Sequence, residues 1–126
     1  MEENVKLIAL LERLRPHVKR KYFDVSLPSG WVHLVNRLHV LLFELDPNYQ
    51  LLQVKEKFGG LRFYATTTIH HADFQETIDY HESHSHYVCQ KCGETGRLRE
   101  DLSWIKTLCE AHYLEELSQN ESSRSS

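Results

Sequence analysis

The sequence predicts an α+β fold: two N-terminal helices packed on a β-hairpin, a third helix, and a small C-terminal lobe organised around its own cysteines. Three observations predict it. Apolar residues recur at spacings of three and four as far as Leu45, then alternate between Tyr49 and Thr68. Beyond that the chain turns polar and closes on cysteines and a histidine at ligand spacing. With 126 residues, 40% hydrophobic and 26% charged, the chain has room for one compact domain and none for a second full enzyme domain.

The first element runs from Glu2 to about Lys21, with Val5, Ile8, Leu11, Leu14 and Val18 as its apolar stripe. Pro16 is placed to kink or end it, because proline removes a backbone donor and clashes with the preceding turn. Leu27-Pro28-Ser29-Gly30 breaks the pattern. A second helix follows, carrying Trp31, Leu34, Val35, Leu38, Leu41, Leu42 and Leu45 on one face until Asp46-Pro47 stops it.

A two-residue Gly59-Gly60 loop would make a hairpin of the alternating stretch. One side then pairs Phe58 with Leu61, Glu56 with Phe63, Val54 with Ala65 and Leu52 with Thr67. The other pairs Lys57 with Arg62, Lys55 with Tyr64 and Gln53 with Thr66. A slip of one residue would bury the cationic set, so the pattern itself argues for which side faces the core. His70 to about His86 reads as a polar third helix with Ala72, Phe74 and Ile78 as its apolar positions. The organisation is therefore a core over 1–86, a lobe over 87–117 ending in a helix from about Glu110, and a serine-rich tail over 118–126 expected to be disordered.

The sharpest motif is Cys89-Gln90-Lys91-Cys92-Gly93, followed by Cys109-Glu110-Ala111-His112. Three thiolates and an imidazole make a closed tetrahedral set for zinc, with no position left for water, which favours a structural role over catalysis. In the first half, glycine permits the turn that aims backbone N–H groups at sulfur. In the second, i and i+3 on a first helical turn share a face, and the helix N-terminus favours thiolate charge. Gly96–Arg99 and Trp104–Leu108 form a short hairpin between the halves. Knuckle, hairpin and helix together resemble the treble-clef zinc fold, so Zn²⁺ is the expected cofactor, held by Cys89, Cys92, Cys109 and His112.

Other chemistry is sparse. His81, His84 and His86 lie close together, but an i, i+3 pair on a polar helix is ordinarily solvated. His70-His71 invites comparison with nucleases that carry a catalytic histidine in a treble-clef-like hairpin, yet it precedes the zinc lobe. A metal-dependent nuclease relying on His71 or His84 is thus a minority alternative. Phosphate-binding glycine loops, nucleophile elbows and zinc-protease motifs are absent from the sequence. No catalytic residue is assigned.

Charge divides the chain. Residues 1–62 hold ten basic and seven acidic side chains, whereas 63–126 hold five and eleven, although the whole carries only −3. Arg13, Arg15, Lys19, Arg20 and Lys21 gather at the end of the first helix, where cations suit its dipole. Lys55, Lys57 and Arg62, with Tyr64 beside them, offer a basic face that an acidic partner or nucleic-acid phosphates would complement. Asp73, Glu76, Asp79, Tyr80 and Glu82 on the third helix offer an acidic surface with an aromatic anchor.

Gln53–Tyr64 (QVKEKFGGLRFY), taken with the later CxxCG, the tryptophan and the TLCxxH ending, resembles a family of small bacterial and phage proteins with no assigned reaction. The resemblance runs from about Trp31 to His112. It implies a mixed helix and hairpin fold, a terminal zinc knuckle and a bacterial or phage cytoplasmic setting, which the lack of a signal-type or membrane-spanning apolar run also suggests. It brings no catalytic residue. The expected function is non-enzymatic: an inhibitor or immunity-type protein that blocks a partner such as a basic toxin domain. The alternative is a nucleic-acid-binding or regulatory zinc protein that uses the basic hairpin face.

Overall fold

The computed structural model describes residues 2–19, 25–69 and 71–125. Its elements are α1 (Glu2–Leu14), α2 (Val32–Leu45), β1 (Gln50–Lys57), β2 (Gly60–Thr66), α3 (Ala72–His84), β3 (Arg97–Arg99), β4 (Lys106–Leu108) and α4 (Glu110–Ser125). Single 3₁₀ turns at Arg15–His17, Ser29–Trp31 and Ser85–Tyr87 join them. This is the expected α+β architecture, with two antiparallel hairpins, β1-β2 and β3-β4, instead of one larger sheet.

The α-helical hydrogen bonding of α1 ends at Leu14, and Pro16 sits in the first turn of the 3₁₀ segment, where a missing N–H is tolerated. Its buried face differs from the expected stripe. Val5 and Ile8 are 65% and 55% exposed, while Leu10 and Leu14 are sealed and Leu7 packs beside them. Leu7, Leu10 and Leu14 follow the same three-four spacing, so periodicity allowed both stripes and packing against α2 selected one. The basic residues Arg20 and Lys21 lie outside the described residues.

Trp31, Val35, Leu38 and Leu42 of the second helical segment are fully buried and meet Leu51, Val54, Leu61 and Phe63 of the hairpin in one core cluster. Phe74 and Ile78 of α3 close that core, and the helix begins at Ala72 because His71 accepts the Asp73 N–H as its N-cap. Leu41, expected in the core, lies on the rim.

The hairpin register differs from the expected one. The turn is Phe58-Gly59, both with positive φ (53° and 82°), so Gly60 is the first strand residue and pairs with Lys57. Glu56 meets Leu61, Val54 meets Phe63 and Lys55 meets Arg62, each partner two positions earlier than expected. A shift of two keeps the same faces inward, which is why the alternation could not detect it. Tertiary contact fixes the choice. A Cβ on Gly60 would lie 2.4 Å from His86 Nε2, so the imidazole fills that space and holds Gly60 in the strand. An irregularity at Leu52 then lets Leu51 as well as Val54 face the core.

Neither hairpin edge is left bare. Val18 and Val25 bridge to Leu51 and Val54 along β1. On the β2 side, Leu61 N–H donates to Ser85 Oγ (2.9 Å) and Phe63 N–H to Glu82 Oε2 (2.8 Å). At the C-terminus α4 continues to Ser125 where a disordered tail was expected after Leu117. The stretch contains no glycine or proline to stop the helical backbone.

Candidate metal centre

The C-terminal lobe has a small core of its own: Cys89, Leu102 and Leu108 are buried, with Tyr113 and Leu117 packed on them. It is anchored to the main core through three backbone carbonyls. Gly30 N–H donates to Gln90 C=O (2.8 Å), Trp31 Nε1–H to Val88 C=O (2.8 Å) and Thr107 Oγ1 to Gly59 C=O (2.7 Å). A Cβ on Gly30 would lie 2.1 Å from the Cys89 carbonyl oxygen, so only glycine allows the second helical segment to approach the knuckle this closely.

The two halves of the motif meet through Gln90. Its N–H donates to Thr107 C=O (2.9 Å), and its side-chain oxygen accepts the Thr107 N–H (2.7 Å), laying the knuckle against β4 just before Cys109. The knuckle closes with Gly93 N–H on Cys89 C=O (2.9 Å) and Cys89 N–H on Glu94 C=O (2.7 Å), and Gly93 takes φ of 82°. Cys109 immediately precedes α4 and His112 lies in its first turn, with Tyr113 N–H bonded to Cys109 C=O (2.9 Å).

As a result, Cys89, Cys92, Cys109 and His112 each offer a ligand atom, all within 4.8 Å of one another. Cys92 Sγ lies 3.8 Å from Cys109 Sγ, and His112 Nδ1 lies 3.6 Å from Cys89 Sγ and 3.1 Å from Cys109 Sγ. A tetrahedral ion bonded at about 2.3 Å to thiolate and about 2.0 Å to imidazole would hold sulfurs about 3.8 Å apart and sulfur from nitrogen about 3.5 Å. These three separations lie within about 0.4 Å of that geometry, so the quartet is consistent with a four-coordinate metal ion.

The thiols differ sharply. Burial alone would push Cys89 up, but N–H groups of Cys109, Cys92 and Lys91 directed at its sulfur bring it down to about 6. Cys92 is pushed up to about 11 by desolvation and by the neighbouring sulfurs, against the Glu94 N–H. The backbone N–H groups thus favour thiolate charge at Cys89, and a cation held by the cluster would stabilise charge on its sulfur ligands further. Two of the nearby cations are engaged elsewhere: Arg99 with Glu110 and over the Tyr113 ring, Lys106 with Glu116.

The other predicted residues are placed less uniformly. Asp73, Glu76 and Tyr80 line one groove between α2 and α3. Asp79 is turned away and accepts from Gln75 Nε2 (2.8 Å), and half-buried Glu82 is committed to the Phe63 N–H. Lys55, Lys57, Arg62 and Tyr64 share the outward hairpin face, with Lys55 directly opposite Arg62 in place of the expected Lys57. His81 is buried with Nδ1 bonded to Thr77 C=O, and His84 stacks on Tyr80, so the histidine cluster does not converge. Among the described residues the Cys₃His quartet is the one group of three or more such ligands that does.

Gly30 and Gln90, which hold the quartet in place, carried no local signal; their partners are distant in sequence. No family model, curated protein or solved structure matches this chain. No helix among the described residues is long and apolar enough to cross a membrane.

Proposed function

We propose that this is a non-enzymatic binding protein of the inhibitor or immunity type, built on a structural zinc site, that blocks a basic protein partner such as a toxin domain. The observation that carries this reading is the groove between α2 and α3. Glu44, Asp73 and Glu76 rim a space of about 450 Å³ whose apolar surface comes from Leu41, Leu45 and the largely exposed Tyr80. An aromatic anchor inside an acidic rim is the arrangement that captures a cationic surface, with Tyr80 supplying buried area and the carboxylates steering the approach. Arg37 stands on the same wall and favours one acidic residue on the partner.

Zinc is the metal that three thiolates and one imidazole in a tetrahedron select best. Four protein ligands leave no open position, so the ion's part is to hold the lobe together and against Gly30 and Trp31. A bacterial or phage cytoplasmic setting belongs to the same reading, by the resemblance of the hairpin and knuckle motifs.

The test is affinity capture with the full chain from lysate of the organism that encodes it, at moderate salt, beside a Glu76→Lys/Tyr80→Ala variant that retains its metal. One stoichiometric basic protein, kept by the wild type and lost by the variant, is the expected result. Capture of nucleic acid without a dominant protein, or equal capture by the variant, overturns it.

One observation favours a second reading. Lys55 and Arg62 face each other across the ladder, Tyr64 lies beside them, and among the described residues no carboxylate lies within ion-pair distance of Lys55, Lys57 or Arg62. Like charges opposed in this way are relieved by phosphates. That reading requires steeply salt-dependent binding to DNA or RNA that weakens in Lys57→Ala and Arg62→Ala.

A further inference from the structure

Outside both surfaces, the end of α1, the middle of α2 and the start of β1 enclose a cleft of about 610 Å³. Its floor is made by His17, His39 and Tyr49, all buried, and Arg13 and Lys19 stand at its mouth. The histidines come from different elements and their ring centroids lie 5.2 Å apart. His17 stacks on Tyr49 at 4.1 Å with its ring 15° from parallel. Among the described residues, no carboxylate lines the cleft.

The hydrogen-bond network assigns the protons. His17 Nδ1 lies 2.9 Å from the Tyr49 carbonyl oxygen, which can only accept, so Nδ1 carries a proton and Nε2 is the ring nitrogen left to accept from a ligand. His39 Nδ1 lies 2.7 Å from the Tyr49 hydroxyl. A buried phenol needs an acceptor, and among the described residues His39 is the one within reach, so Tyr49 donates to Nδ1 and the His39 proton sits on Nε2. Burial first, then the neighbouring His17 and Arg13 side chains, pulls His39 down to about 4 and keeps that ring neutral near pH 7. The floor thus presents an N–H donor beside an imidazole acceptor, under two permanent cations.

We infer that this cleft binds a phosphate monoester or free phosphate. A P–O⁻ oxygen accepts from His39 Nε2, a P–OH donates to His17 Nε2, and Arg13 and Lys19 balance the charge. A phosphodiester has no P–OH and satisfies only part of the floor. Free phosphate and a monoester share this chemistry; the partly exposed Phe43 ring on the wall gives an ester's organic group a surface to lie on.

The test is NMR observation of the imidazole Nε2 resonances in the full-length, metal-loaded chain, titrated at constant ionic strength with inorganic phosphate, a 5′-mononucleotide and a diester dinucleotide without a terminal phosphate. The first two are expected to shift His17 and His39 saturably below about 10 mM, and the diester to bind at least about tenfold more weakly. A mononucleotide that binds tighter than phosphate identifies an ester as the ligand; equal affinity identifies the free anion. Arg13→Gln, an exposed position, is expected to weaken phosphate about tenfold without disturbing the fold, and His39→Gln to abolish it, whereas Lys6→Gln, an exposed cation of α1 that does not line the cleft, leaves it unchanged. Absence of a saturable shift, a diester bound as well as the monoester, or Arg13→Gln indistinguishable from wild type overturns the inference.

Discussion

Gly30→Ala tests how the lobe is tied to the core. The added Cβ would stand 2.1 Å from the Cys89 carbonyl oxygen, 2.6 Å from the Gln90 carbonyl carbon and 2.8 Å from the Gln90 oxygen. A carbon to carbonyl-oxygen contact settles near about 3.3 Å, so the two backbones must separate by about 1 Å. All three obstacles are backbone, and no side chain can rotate away. Such overpacking costs about 1 to 3 kcal/mol, and the Gly30 N–H to Gln90 bond lost with it adds about 1 kcal/mol. Together this is about 3 kcal/mol, and at about 4 °C per kcal/mol for a chain of this size the midpoint falls by roughly 12 °C.

The same displacement moves Cys89, a ligand whose position must hold to about 0.2 Å, so metal affinity falls by at least about tenfold. Thermal melting followed by circular dichroism, with chelator competition in parallel, reads both effects. Ser29→Ala is the control, since its exposed hydroxyl makes a single 3.3 Å bond to the Lys91 carbonyl and its loss is worth under about 0.5 kcal/mol. A Gly30→Ala protein melting within about 2 °C of wild type with unchanged metal affinity would refute the packing argument.

Three further outcomes are expected. Chelation releases one zinc per chain, counted by elemental analysis, and amides of Gln90 and Thr107 then exchange with solvent before those of Val54 and Leu61; simultaneous loss would show that lobe and core are a single unit. Asp46 is buried, and although burial raises its pKa, hydrogen bonds from Thr68 N–H, Thr67 Oγ1, Asn48 N–H and Thr68 Oγ1 together pull it down to about 2. Its carboxylate therefore contributes stability above about pH 4 that is lost as pH falls toward 2, and Asp46→Asn, measured by urea denaturation at pH 7, costs about 2 kcal/mol. His39, held down to about 4 mainly by burial, is protonated more readily in the unfolded chain, so stability declines as pH falls from about 6.5 toward 4. His39→Gln should flatten that part of the pH dependence in the same denaturation assay; an unaltered slope would show that another group carries it.

The sequence by itself determined the elements whose information is local. Two ligand pairs at x-x spacing place their donors on one turn each, so the Cys₃His quartet was legible before any fold was known. The length and polarity of α2 and α3 followed equally from periodicity, as did the inward side of the hairpin at Val54, Leu61 and Phe63; at Leu51 and Phe58 the alternation failed, because the irregularity turns Leu51 inward and the turn leaves Phe58 exposed. Tertiary structure decided whatever several local patterns satisfied equally. Leu7, Leu10 and Leu14 won over Val5 and Ile8 because α2 packs on one side of α1. Gly60 entered the strand because His86 occupies the space beside it, and that set the register. Glu82 left the acidic surface because the open edge of β2 needed an acceptor for Phe63. His17, His39 and Tyr49 met only because three elements converge, which no spacing along the chain records. Periodicity states which face a residue takes; only the neighbour that fills the remaining space states what it touches.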